Sequence, residues 1–233
     1  MTVDDRIDTT PLLRPIWNAL SGLQADRALG DALARRFRPD IGPLAAARDG
    51  SPEALAALAR LVPAEGMLVT LQADAYAPPP GTVADMQRMV VQMIAPEAAT
   101  DERPDPGLIP LGPADAADML DLARRTEPGP FAEHTGSLGQ FWGVRIDGCL
   151  AAMAGERMQL PGFAEISGVC AHPDYRGRGL ARRVTRRVMT QIAQRGAIPF
   201  LHSYADNPEA IGLYRRLGFV PVGERIVTAL RRA

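Results

Sequence analysis

The 233-residue sequence predicts an α/β protein, a sheet flanked by helices and preceded by a smaller α/β N-terminal lobe. Three observations carry this. From residue 108 onward, short apolar runs of strand length alternate with helix-periodic stretches. Asp147-Gly148 separates two alternating runs, which marks a tight hairpin. The apolar run ending at Ala171 passes through Pro173 into Arg176-Gly177-Arg178-Gly179, a glycine-punctuated loop opening an arginine-rich helix.

Taken in order, a helix is expected over 16–37, from Ile16, Leu20, Leu23, Leu29, Leu33 and Phe37 near helical spacing. Ser51-Pro52-Glu53 reads as an N-cap, an N1 proline and an acid at the positive helix end, opening a helix to Leu61. Strands are expected over 66–72 and 89–94, joined by the rigid connector 76–81. The segment 95–107, with four acids and three prolines, reads as a linker, so the domains are placed at 1–107 and 108–233. Beyond it come a strand at 108–111 and a helix at 113–126, then the hairpin 140–146 and 149–158. A strand at 163–171 leads to a helix at 179–195, with Leu180, Val184, Val188 and Ile192 on one stripe. A strand at 199–204, a helix at 207–217 and final strands within 219–230 complete the chain.

Net charge of −1 gives no general attraction to nucleic acid or to membranes. The halves differ: 1–107 carries ten arginines against fifteen acids, whereas 108–233 carries sixteen against twelve. A positive C-terminal half suits an anionic ligand. All 26 basic residues are arginine, so a lysine-dependent phosphate loop is excluded. Cys149 and Cys170 both lie in apolar runs and read as reduced core thiols, and no His, Cys, Asp and Glu spacing suggests a metal. The acidic start Met1-Thr2-Val3-Asp4-Asp5 lacks an apolar signal core, and no run reaches membrane-spanning length. A cytoplasmic protein is expected.

Glycines at 177 and 179 allow close backbone approach, and the helix behind them presents unpaired N–H groups to an anion. Arg176-x-x-Gly179-x-Ala181 resembles the Q/R-x-x-G-x-G/A motif of the GNAT superfamily of acyl-CoA-dependent N-acyltransferases. Asn207-Pro208-Glu209-Ala210-Ile211-Gly212-Leu213-Tyr214-Arg215-Arg216-Leu217-Gly218-Phe219 resembles the family's late helix, about thirty residues downstream as in relatives. The resemblance covers about 108–233 and implies a mixed, mostly antiparallel sheet. It also leaves 1–107 as a degenerate lobe of the same kind, shaping the acceptor pocket or a homodimer contact.

The resemblance further implies an N-acetyltransferase using acetyl-CoA, with coenzyme A as product and a small-molecule or peptide amine as acceptor. It assigns the backbone of Val169 and Ala171 to pantetheine and thioester, and Arg176, Gly177, Arg178, Gly179, Leu180 and Ala181 to pyrophosphate. Arg182 is a further candidate; Arg183, Arg186 and Arg187 read as a solvated helix face. Asn207 contacts the cofactor, caps its helix, or does both. Tyr214 is expected as general acid to the thiolate, against the plainer reading of a half-buried aromatic. Glu165, four residues before Val169 on one strand face, is expected as the base in direct attack, itself or through a water, or as a carboxylate on an exposed strand face or in an ion pair. Among the histidines, His134 lies in a loop that lines the acceptor site in relatives, whereas His172 and His202 read as structural. A non-catalytic acyl-CoA-binding or regulatory module is the alternative.

Overall fold

The computed structural model describes residues 7–73, 77–100 and 105–233. The acidic start at 1–5, Tyr76 of the connector and 101–104 of the linker lie outside the described residues. The elements run α1 (Pro15–Ser21), β1 (Ala28–Gly30), β2 (Ala34–Phe37), β3 (Ala45–Ala47), α2 (Pro52–Leu61), β4 (Leu68–Gln72) and β5 (Thr82–Ile94). They continue β6 (Ile109–Leu111), α3 (Ala116–Thr126), β7 (Phe141–Ile146), β8 (Cys149–Leu160) and β9 (Phe163–Ala171). The last four are α4 (Leu180–Gln194), β10 (Ile198–Tyr204), α5 (Pro208–Arg216) and β11 (Val220–Arg232).

Eight strands form one sheet in the order β4-β11-β5-β10-β9-β8-β7-β6. All its pairings are antiparallel except β9 with β10. The stripe of Leu180, Val184, Val188 and Ile192 seats α4 on one face, over Ala152, Ala154, Ile166 and Leu201, with Tyr214 of α5 beside it. Ile16 and Leu20 of α1 pack on the other face with Met158, Phe163 and Phe200. Met119 and Leu122 of α3 share that side with Phe141, Met153 and Cys170. Glu156, fully buried on β8, holds Arg195 just beyond the C-terminus of α4 and so pins that helix to the sheet.

Three expectations are corrected. The helix over 16–37 ends at Ser21, and the later part of that stretch forms the hairpin of β1 and β2. Asp31 makes that turn, its Oδ1 accepting from the N–H groups of Leu33 and Ala34, while Gly30 adopts φ 117°. Leu23 and Leu29, counted in the helical stripe, are in fact exposed. The segment 219–230 holds one bulged strand, β11, rather than several. Finally, the sheet does not divide at residue 107: β5, from the N-terminal side, lies between β10 and β11. Among the described residues, only β1, β2 and β3 form a separate small sheet.

Candidate functional site

The site begins where β9 and β10 part. They pair only from Ile198 opposite Phe163 to Phe200 opposite Glu165; beyond, each strand continues without the other. β10 keeps its ladder to β5, so the gap opens on the β9 side. At the same level Met153 faces Cys170 and Gly155 faces Ser167, which leaves Ala154 opposite both Gly168 and Val169. This β-bulge needs φ 63° at Gly168, and bulges of this kind re-aim backbone groups beside active sites. The resulting cleft has a volume of about 190 Å³.

Past the notch, β9 runs into the loop before α4. Gly177 and Gly179 have φ 74° and 71°, and a Cβ built on either would meet no protein atom within 4 Å. Gly179 is the N-cap of α4 and offers no capping side chain, and no acid stands in the first turn. Residues 177–182 donate no backbone hydrogen bond to any described residue outside the helix itself. Unpaired N–H groups at a positive helix end, open on the outer side, form a cradle for an anion. Arg176 and Arg178 are exposed there, and the Arg178 guanidinium lies 5.2 Å from the ring centre of Tyr175. Arg183 is tied to Asp105 at 2.8 Å, and Arg187 stacks 4.2 Å over Trp142. Both therefore serve the fold, as their place on the helix face suggests. A diphosphate-bearing donor fits this cradle.

Glu165 is an ion-paired carboxylate, one of the two readings its sequence position allowed. It is fully buried, its Oε2 accepts from Arg157 Nε and its Oε1 from Arg157 Nη2, each at 2.8 Å. A second bulge makes this possible: Glu156 faces Ile166 and Gln159 faces Ala164, so Arg157 and Met158 share the place opposite Glu165. Oε1 also meets His202 Nδ1 at 2.8 Å. Burial pushes the Glu165 carboxyl up, but the Arg157 charge, its hydrogen bonds and His202 outweigh it and hold the pKa at about 2.

The network fixes the His202 tautomer. Gln92 Nε2 donates to Leu12 O at 3.1 Å, and Gln92 Oε1 accepts from Arg225 Nη2 at 3.0 Å, which orients the amide. Its second N–H therefore points at His202 Nε2, 2.9 Å away, so that nitrogen accepts and Nδ1–H donates to Glu165. A proton on Nε2 would oppose the Gln92 amide. Arg157, Gln92 and Arg225 escaped sequence reasoning. The only signal was a Gln and an Arg on opposite apolar strands, legible once pairing sets Gln92 opposite His202.

Tyr214 reaches the same cleft from α5 and is buried, which pushes its hydroxyl up to about 12, with the nearby Cys170 adding to the shift. Its hydroxyl makes no hydrogen bond to a described residue. Asn207 caps α5, accepting from Ala210 N–H at 3.0 Å, and also lines the cleft. Cys170 is buried and pushed up to about 11 by that burial, which makes it a core thiol. His134 pairs with Asp40 at 3.0 Å, and His172 Nδ1 accepts from Asp174 N–H, so neither faces the notch. No cluster of metal-binding side chains occurs among the described residues, and no helix there is long and apolar enough to cross a membrane.

Ile16, Leu44, Val69, Leu71 and Val90 wall the cleft, and all come from the N-terminal half. Glu127, Pro128, Gly129 and Pro130 also line it.

The FR47-like protein family model matches residues 142–226, the stretch holding both bulges, the glycine loop and Tyr214. A solved structure from Novosphingobium aromaticivorans, assigned to the GNAT family of acetyltransferases, is 46% identical to this chain. It superposes with a TM-score of 0.90, covering 96% of this chain and 99% of that one. A GCN5-related N-acetyltransferase from Kribbella flavida shares the fold at 18% identity and a TM-score of 0.63, over 92% of this chain and 93% of that one. The N-alpha-acetyltransferase RimI of Mycobacterium tuberculosis is 37% identical over 88 residues. That stretch is 36% of this chain and spans about half, 54%, of the mycobacterial protein.

Proposed function

Because this chain belongs to the GNAT family of acetyltransferases, we propose that it transfers the acetyl group of acetyl-CoA to a primary amine by direct attack in a ternary complex. The observation that carries this reading is the continuity of three features. An uncapped glycine cradle leads into a bulged, splayed strand edge, and Tyr214 stands in the same cleft. The cradle suits the diphosphate, with Arg176 and Arg178 adding charge, and the strand edge suits the pantetheine as an extra strand. Asn207 and Ala210 border the path.

In the reaction the neutral amine nitrogen attacks the thioester carbonyl, the C–S bond breaks with its electron pair going to sulfur, and the extra nitrogen proton passes to water, which protonates the released thiolate. The Val169 N–H, re-aimed by the bulge, polarises the carbonyl, a contribution of about 3 kcal/mol for one donor. Tyr214 donates a hydrogen bond to the departing sulfur. With its hydroxyl near 12 and a thiol near 8.5, full proton transfer would be uphill by about 5 kcal/mol, so donation without transfer is the role assigned.

Glu165 takes no proton from an ammonium ion: the gap between about 2 and 10.4 corresponds to about 11 kcal/mol. Its role is to hold Arg157 and His202 in the floor of the cleft. The amine therefore reacts from its neutral fraction, about one molecule in a thousand near pH 7.4, at a cost of about 4 kcal/mol.

Thiol release from acetyl-CoA across an amine panel tests the reading. Tyr214→Phe is expected to lower kcat about ten- to a hundredfold with acetyl-CoA affinity nearly unchanged. Unaltered turnover removes Tyr214 from the mechanism. Binding of acetyl-CoA without thiol release from any amine would instead make the protein an acyl-CoA-binding module.

A further inference from the structure

The charges lining the cleft do not balance, and the imbalance falls on one residue. Arg157 and Glu165 neutralise each other, and His202 is held between the Glu165 carboxylate and the Gln92 amide. Among the described residues lining the cleft, Glu127 is the charged side chain left without a partner: it forms no ion pair or side-chain hydrogen bond with any described residue.

Its placement is unfavourable twice over. Glu127 ends α3 in the left-handed region, φ 47° and ψ 54°, a position where helices prefer glycine. It also sets a carboxylate at the negative end of the helix dipole. The only other non-glycine residue with positive φ among those described is Asp147, which makes a hairpin turn. Pro128, Gly129 and Pro130 come next and keep the segment along the cleft wall. A conformation that costs stability yet presents a lone anion to a binding cleft points to a ligand cation.

The apolar lining supplies the rest of the description. Ile16, Leu44, Val69, Leu71 and Val90 are apolar and lie outside the segment matched by the family model.

We propose that Glu127 is the acceptor-recognition residue and that the acceptor is a small aliphatic primary amine bearing no carboxylate beside its nitrogen. Glu127 draws in the ammonium form, which loses a proton to water before it attacks, while the apolar lining takes the hydrocarbon. This rests on the acetyl-transfer reading above. An added carboxylate on the substrate would face Glu127 with like charge and the apolar wall with an unpaired one.

Steady-state kinetics of the full chain at saturating acetyl-CoA test it, with n-pentylamine against norleucine, the same amine with a carboxylate beside the nitrogen. The expected kcat/KM for n-pentylamine exceeds that for norleucine about fivefold or more. Glu127→Gln should raise KM for n-pentylamine about fivefold with kcat nearly unchanged, and the loss should shrink in high salt. Glu127→Gly should raise KM alike while increasing Tm, because glycine relieves the left-handed strain; a purely structural residue would not separate the two. An unchanged KM in both variants, or a preference for norleucine, overturns the proposal. So does turnover of other amines but not of n-pentylamine, which leaves the acetyl-transfer reading standing. Failure of acetyl-CoA itself to bind removes that reading first.

Discussion

At the scale of single residues, the floor of the cleft is a chain of fixed protons running from Arg157 through Glu165, His202 and Gln92 to Arg225. Removing one member strands the others. Glu165→Gln leaves the Arg157 guanidinium buried beside a neutral amide and is expected to cost about 3–5 kcal/mol, read by denaturant unfolding. The pH dependence comes from the depressed pKa. A carboxyl at about 2 in the folded state and 4.5 unfolded contributes stability that is fully present above 4.5 and is lost as pH falls towards 2. Acid unfolding of the native chain should therefore steepen across that window, and the steepening should vanish in Glu165→Gln. Catalysis gives a second test. With no enzyme base near neutrality, kcat/KM for an alkylamine should rise about tenfold per pH unit between 7 and 9, following the neutral amine. A plateau beginning near pH 7 would assign the proton to a protein group instead. The sequence singled out Glu165, which lines the cleft, but could not show its partner. Arg157 reaches it only through a bulge, and a bulge between two strands is set by their pairing rather than by local spacing.

At the scale of elements, the turn from β9 into α4 was the most legible part of the chain. Gly177, Gly179 and the stripe of Leu180, Val184, Val188 and Ile192 are local signals, and the strand at 163–171 has the bounds expected. The hairpin at Asp147-Gly148 was legible for the same reason, with φ 50° and 80° at its two turn residues. Where local and tertiary signals disagreed, reading failed. The apolar residues between 16 and 37 suggest one helix by spacing, yet the Asp31 turn and Gly30 cut the stretch into α1 and a hairpin. The cradle itself makes a sharp prediction. Gly179→Ala imposes a left-handed alanine, costing about 1 kcal/mol, and sets a methyl group on the ligand side. Gly196→Ala carries the same strain at φ 75°, also into open space, away from the cradle. Both variants should lose a few degrees of Tm, about 2–4 °C, but only Gly179→Ala should weaken acetyl-CoA binding in titration calorimetry. Equal affinities would detach the cradle from the donor.

At the scale of the whole molecule, the N-terminal half is part of the sheet and of the site. β5 separates β10 from β11 and carries Gln92, which sets the tautomer of His202, while Ile16, Leu44 and Val69 close the cleft. None of this was legible from 1–107 alone, because a strand's neighbours in a sheet of this kind are chosen by residues more than a hundred positions away. The segment 142–226 carries the family-model match, and the N-terminal half supplies the apolar lining of the cleft. The account converges on one place, the notch between β9 and β10 with the glycine cradle at its outer end. A crystal structure of the protein with acetyl-CoA tests that most directly. The diphosphate should lie on the amides of 177–182, with the thioester beside Val169 and its sulfur within hydrogen-bond reach of the Tyr214 hydroxyl. Acetyl-CoA bound elsewhere, or a thioester directed away from Tyr214, would contradict the account.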